Sequence, residues 1–254
     1  AGRNRWVCVY AVPSSLIESY FNFAKSLKLD IVSLDYAGNS NYQLIRRQAN
    51  KGTNVYVQLN ERDTTVSILR DNVLKLQRTF GYGINMLMDA CLDQEQYEAE
   101  GRDEALRLLE NEDLLTDSSS EAMLDAVQYL TDSVARIIDY YKGSHVDEQI
   151  DTVYISGTGI RIQGIEDCFA SATGLSCRKM LRLNLASFNK KTADFKYPGE
   201  FITCIGAVIK PVNLLPKEVI EKRRRQKLVM ATSVFSFTCL AAAAIMIYVG
   251  YLDY

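Results

Sequence analysis

The chain has 254 residues and a formal net charge of −2. That is long enough for one large core or two smaller ones, and too balanced for a generic nucleic-acid binder. Six cysteines stand singly at irregular gaps, with no Cys-x-x-Cys pair, and His145 is the sole histidine. A structural zinc site and a Ser–His–Asp or Cys–His nucleophile set are therefore excluded. The expectation is reduced, mostly buried thiols and a solvated His145 within KGSHVDE. No secretory signal opens the chain, which starts without Met, as expected for a piece of a longer protein.

In chain order, residues 6–13 (WVCVYAVP) alternate and predict a strand. A helix follows from Pro13 to Lys28, with Leu16, Tyr20, Phe23 and Leu27 on one face. Next come a strand DIVSLDY, a helix over 40–50 and a strand NVYVQLN. A turn at Glu61-Arg62-Asp63 leads into TTVSIL and NVLKLQRTF, which together predict a β-meander. Residues 81–142 predict helix, broken by acidic, Ser-rich loops near 93–103 and 111–120. The last of these helices is capped at Ser120, with Glu121 in its first turn and a clear 3.6-residue period. Asp30, Asp35 and Asp63 fall at strand ends and read as turn or capping residues.

The stretch DTVYISGTGIRIQGIEDCFASATGL carries most of the site information in the body. A buried strand, Val153 to Ser156, enters Gly157-Thr158-Gly159, and a helix starts near Gln163. Glycines after a strand either let backbone approach a phosphate or sugar or simply make a tight turn, and both readings stand here. Strands alternating with helices place the body in the α/β class.

The C-terminal part is different in kind. PVNLLPKEV precedes Lys222, Arg223, Arg224, Arg225 and Lys227, and then 228–252 run without a charged residue. As a helix, about 25 residues rise roughly 37 Å, enough to cross a hydrocarbon core of about 30 Å. Tyr248, Tyr251 and Tyr254 cluster at the far end, as interfacial rings do. Basic residues resist translocation, so the body is expected in the cytoplasm of a single-pass protein of the inner membrane. Pro211 and Pro216 predict an extended, non-helical 211–216, leaving Leu214 and Leu215 free for an apolar groove and Asn213 for backbone.

The order meander, helical insertion, strand–SGTG–helix and small-residue helix EFITCIGAVI resembles the second half of an actin-like ATPase (ribonuclease H-like) fold. Within it, the chain is similar to the type IV pilus assembly protein PilM family, relatives of the division protein FtsA, over roughly residues 6–210. The opening VYAVPSSLIESYFNFAKSLKLDIVSLDY resembles the end of that family's small inserted subdomain, so the N-terminal lobe is expected to be incomplete. PVNLLPKEV resembles the cytoplasmic peptide of PilN, whose Asn-Leu-Leu-Pro core docks on PilM ahead of a single membrane helix. The implied layout is an actin-fold domain (1–210), a PilN-like peptide with a basic juxtamembrane segment (211–227) and a membrane helix (228–252). The type II secretion protein GspL has a similar layout.

The resemblance implies an adenosine loop at Gly157, Thr158 and Gly159, a close-approach glycine at Gly206, and a weaker contact at Asn60. The second phosphate loop, Asp-Ile-Gly in the family, is replaced by Gln58-Leu59-Asn60. The lost acid and glycine imply no hydrolysis and no cofactor in this chain, with ATP and Mg²⁺ reserved for a full-length form. The docking residues implied are Asn213, Leu214, Leu215 and Pro216. Arg223, Arg224, Arg225 and Lys227 are assigned to the anionic leaflet. Expected partners are PilO-like and PilC-like inner-membrane proteins, a cytoplasmic motor ATPase, anionic lipid and further copies in an oligomer or ring. The implied function is a structural platform; the alternatives are a membrane-anchored ATPase, sugar kinase or FtsA-like filament former, and a GspL-like secretion component.

Overall fold

The structure is a computed structural model that describes residues 9–48, 50–94, 97, 99–115, 120–183 and 196–252. Cys8 and Tyr254 lie outside the described residues, as do the side chains of Lys227, Tyr248 and Tyr251. The chain divides into two compact units, Asp35–Pro211 and a second one made of Ala1–Leu34 with Val212–Tyr254.

The larger unit is a five-stranded sheet of order β3-β2-β1-β4-β5. Its strands are β1 (Thr53–Leu59), β2 (Thr64–Arg70), β3 (Val73–Phe80), β4 (Ile150–Ser156) and β5 (Cys177–Lys179). β1, β2 and β3 form the expected antiparallel meander, while β4 and β5 join parallel on the other side of β1. β1 pairs Val55 with Ile68 and Val153, and Val57 with Val66 and Ile155. All seven residues of β1 are buried, because a central strand flanked on both edges and covered on both faces has no solvent side.

Alternation along β1 divides the core. Val55, Val57 and Leu59 face a large apolar cluster with Leu87, Leu130, Val134 and Phe169. These come from α3 (Asn85–Leu92), α5 (Glu121–Ser144) and α6 (Ile165–Thr173). α4 (Arg102–Asn111) adds Leu106 and Leu109 to that cluster. Tyr56 turns to a smaller cluster with Leu44 and Ile45 of α2 (Ala37–Gln48) and Ile202 of α7 (Ile202–Ala207). α5 starts where its cap predicts, with the Ser120 hydroxyl accepting from Met123 N–H at 3.3 Å, and Met123, Leu130, Val134 and Ile138 fill its buried stripe.

The second unit holds α1 (Ser14–Ser26) and α8 (Lys217–Leu252). α8 is one unbroken helix of 36 residues, so the basic cluster and the apolar run share an axis. Its stretch Lys217–Ile247 has a mean hydropathy of 2.0 over its most apolar window, none of it buried, and is long and apolar enough to cross a membrane.

Several expectations are corrected. Residues 9–13 and 30–36 are not strands; they alternate in sequence, but among the described residues no neighbouring strand pairs with them, and pairing is what makes a strand. The helix expected over 13–28 is present as α1, and its face Leu16, Tyr20, Phe23, Leu27 is about half or more exposed, with Ala24 the buried residue. The thiols are not mostly buried: Cys91 is, Cys168 and Cys177 are partly, and Cys204 and Cys239 are exposed. His145 is not loosely solvated, since it ends α5 with its ring stacked on Tyr141 at 4.2 Å.

Candidate functional site

Two turns at one end of the sheet meet. In the β1–β2 turn, Asn60 N–H donates to the Asp63 carbonyl (3.0 Å) and Asn60 Nδ2 to Asp63 Oδ1 (2.9 Å). Ile84 N–H donates to the Asn60 carbonyl, tying the turn to the entrance of α3. After β4, Gly157 takes φ 79° and ψ −171°, a region open essentially to glycine alone. Its N–H donates to the Gly199 carbonyl at 3.0 Å. A Cβ on Gly157 would sit 2.6 Å from the Leu59 carbonyl oxygen and 2.8 Å from Asn60 Oδ1, and one on Gly159 would overlap the Leu59 side chain.

Asn60, Gly157 and Gly159, with Thr158 between the glycines, are thus brought together. Gly206 is not with them. It lies on α7, where a Cβ would overlap the Ser40 carbonyl of α2. The close approach expected of Gly206 is present, but helix to helix.

Beside that crossing runs a buried polar chain that the sequence does not announce. Gln58 Nε2 donates to Thr203 Oγ1 (2.6 Å), and Thr203 donates to Asn41 Oδ1 (2.7 Å). Gln58 Oε1 and Asn41 Nδ2 are buried without a protein hydrogen bond. Asp35 accepts from the side chains of Asn39 (Nδ2, 2.8 Å) and Ser40 (Oγ, 2.9 Å) at the start of α2. Polar residues that stitch α2 to β1 and α7 look in sequence like a solvated helix, so nothing local marks them.

A second group holds the loop after β4. Glu110 accepts from Arg161 Nη2 (2.7 Å), Lys196 Nζ (2.5 Å) and Tyr197 OH (2.9 Å). Burial alone would raise the Glu110 carboxyl, but the hydrogen bonds from Lys196, Arg161 and Tyr197 outweigh it and bring it down to about 2. Burial also raises Glu200, against the pull of Arg161. A carboxyl held low stabilises the fold above its ordinary value near 4.3 and loses that contribution as pH falls toward 2. Glu110→Gln is expected to lower stability by about 2 kcal/mol at pH 7. The gap to wild type should close between about pH 4 and pH 2 in urea titrations; a gap unchanged down to pH 2 contradicts the assignment.

The space that a side chain at Gly157 or Gly159 would need is taken by Leu59 and Asn60, and Asn60 is bonded to Asp63. Among the described residues, no group of three or more His, Cys, Asp or Glu is placed to hold a metal ion.

The docking segment reads differently from its expectation in one respect. Residues 210–216 are non-helical, yet Asn213 has φ 59° and so breaks the expected extension. Its Oδ1 is buried without a partner rather than bonded to backbone. Leu214 N–H donates to the Leu34 carbonyl at 2.7 Å, Leu215 is 6% exposed, and Pro216 is half-buried. Arg223 binds the Asp30 carboxylate and the Val32 carbonyl, whereas Arg224 and Arg225 are exposed. One of the three arginines assigned to lipid therefore has a protein partner.

Comparison with known proteins places this geometry. No curated protein matches the chain. Among solved structures, a PilM–PilN type IV pilus biogenesis complex is similar, with a TM-score of 0.62 at 12% identity over 76% of this chain and 56% of that one. The chain thus spans little more than half the length of that relative. MreB5 of Spiroplasma citri is similar with TM-scores of 0.51 bound to AMPPNP and 0.52 bound to ADP, each at 14% identity. Those matches cover 87% and 85% of this chain and 68% of the MreB5 chain in each case. Identities this low speak for fold alone, and the fold is the α/β actin-like ATPase fold. A family model described as type IV pilus assembly protein PilM matches residues 10–191, more than half of the sequence, and the chain belongs to that family.

Proposed function

We propose that the chain is a structural component of the inner-membrane platform of a type IV pilus machine, joining a cytoplasmic actin-like body to the bilayer. In this reading 211–227 form a PilN-like docking and juxtamembrane segment, and 228–252 cross the membrane once, with the body in the cytoplasm. The observation that carries it is the buried Leu215 beside the Leu214–Leu34 hydrogen bond, immediately ahead of an apolar helix with no buried face. An Asn-Leu-Leu-Pro segment held by the chain's own residues is a tethered ligand, for which a short linker supplies an effective concentration of about millimolar. Arg224, Arg225 and Lys227 meet the anionic leaflet, each contributing on the order of 1 kcal/mol.

Partners proposed on this basis are PilN-, PilO- and PilC-like inner-membrane proteins, a cytoplasmic motor ATPase and further copies of the chain. The solved PilM–PilN complex supports the first of these for the family. In this reading the role is coupling rather than catalysis, in keeping with Gln58-Leu59-Asn60 standing where the family resemblance expects Asp-Ile-Gly. The second reading, a nucleotide-driven filament anchored to the membrane, draws on the shared fold of nucleotide-bound MreB5. It predicts ATP-dependent sedimentation. Impermeant labelling at the two ends of α8 tests the platform reading.

A further inference from the structure

α5 carries a stripe with opposite charge in its two halves, exposed at Asp125, Tyr129, Arg136 and Tyr140 and closed at its centre by buried Ser133, which accepts from Tyr82 and from Arg136 Nη2 at 2.8 Å. At about 100° per residue, Asp125, Tyr129, Arg136 and Tyr140 fall within about 30° of one line, with Asp132 and Ser133 to either side of it. Tyr129 and Tyr140 are 49% and 64% exposed. The N-terminal half borders a groove of about 690 Å³ between α3 and α5, lined by Asp89, Asp93, Asp125, Tyr129 and Asp132. The C-terminal half borders a groove of about 340 Å³ against β3, lined by Arg78, Phe80, Arg136, Ile137 and Tyr140. Tyr82 bridges the halves, its ring 4.6 Å from that of Tyr129 and its hydroxyl 2.5 Å from Ser133 Oγ.

The geometry points to a second copy of this chain as the occupant of this face, paired through antiparallel α5 helices about a two-fold axis between residues 132 and 133. That axis sets residue i opposite residue 265 − i. Arg136 of one copy then lies over Tyr129 of the other, a cation–π contact, with Asp125 and Asp132 one turn to either side. The symmetry repeats the same contact at the other end, as a two-fold interface requires. Asp139 does not oppose it, since it lies about 70° off the line and falls opposite Ala126. A parallel arrangement would place acid on acid and base on base. The pairing uses no part of the membrane reading, so it stands or falls separately from it.

The test is capture between two differently tagged full-length chains in detergent. Wild type should capture wild type. Arg136→Asp and the double variant Asp125→Arg, Asp132→Arg should each capture themselves at least about tenfold less well. Mixing these two variants should restore capture, because both ends of the pair regain opposite charges. Absent wild-type capture, undiminished self-capture by either variant, or no recovery on mixing overturns the proposal. A Tyr129→Ala variant, which leaves charge unchanged, should also lose capture; full capture by it contradicts the pairing geometry.

Discussion

A Leu214→Asp, Leu215→Asp chain should be cleaved by trypsin after Lys217 about 70-fold or more faster than wild type. Leu215 is almost fully buried, and burying a leucine contributes about 1.5–3 kcal/mol. A carboxylate cannot stay there unpaired, so the segment must leave its seat. The Leu214–Leu34 hydrogen bond goes with it, adding about 1 kcal/mol. A loss of about 2.5 kcal/mol or more raises the open population by that factor, and proteolysis follows this population when closing is fast. Leu214→Ala, Leu215→Ala should fall between the two. Cleavage at the wild-type rate would remove the docking role from this segment.

The second large effect is expected at Gly157. Alanine there meets two costs together. The backbone conformation is strained for any residue with a Cβ, by about 1–3 kcal/mol, and that Cβ would lie 2.6 Å from the Leu59 carbonyl. Gly157→Ala should therefore lower stability by about 3 kcal/mol or more in urea titrations. Gly174, with φ 66° and nothing within 4 Å of a built Cβ, supplies the control, where alanine should cost about 1 kcal/mol. Equal effects at the two positions would mean that close packing against Leu59 is not why Gly157 is required. Reduced ATP affinity with unchanged stability would restore a nucleotide role to the turn.

Much of the fold was legible because its signals are local. The meander is written as alternation after the turn Glu61-Arg62-Asp63, and α5 is announced by Ser120 and its apolar period. The long apolar run of α8 needs no context either. What the sequence hid depends on partners far along the chain. VCVYAVP and DIVSLDY have strand character, but pairing is decided by a neighbour. α2 reads as a polar surface helix, yet Asn39, Ser40 and Asn41 are buried because Thr203, Lys210 and Asp35 meet them. The glycines could be recognised as special, but not what they approach: for Gly157 it is Leu59, and for Gly206 the Ser40 carbonyl. Arg223 looks like its neighbours until Asp30, 193 positions away, is found beside it.

The claim on which the account rests is that α8 crosses the inner membrane with the actin-like body on the cytoplasmic side. Membrane-impermeant maleimide applied to chains with a single cysteine, either replacing Lys217 or appended after Tyr254, tests this directly. The appended cysteine should react on intact spheroplasts, and the one at position 217 only after the membrane is opened. Reaction of both only after opening, or recovery of the chain in the soluble fraction, would contradict it.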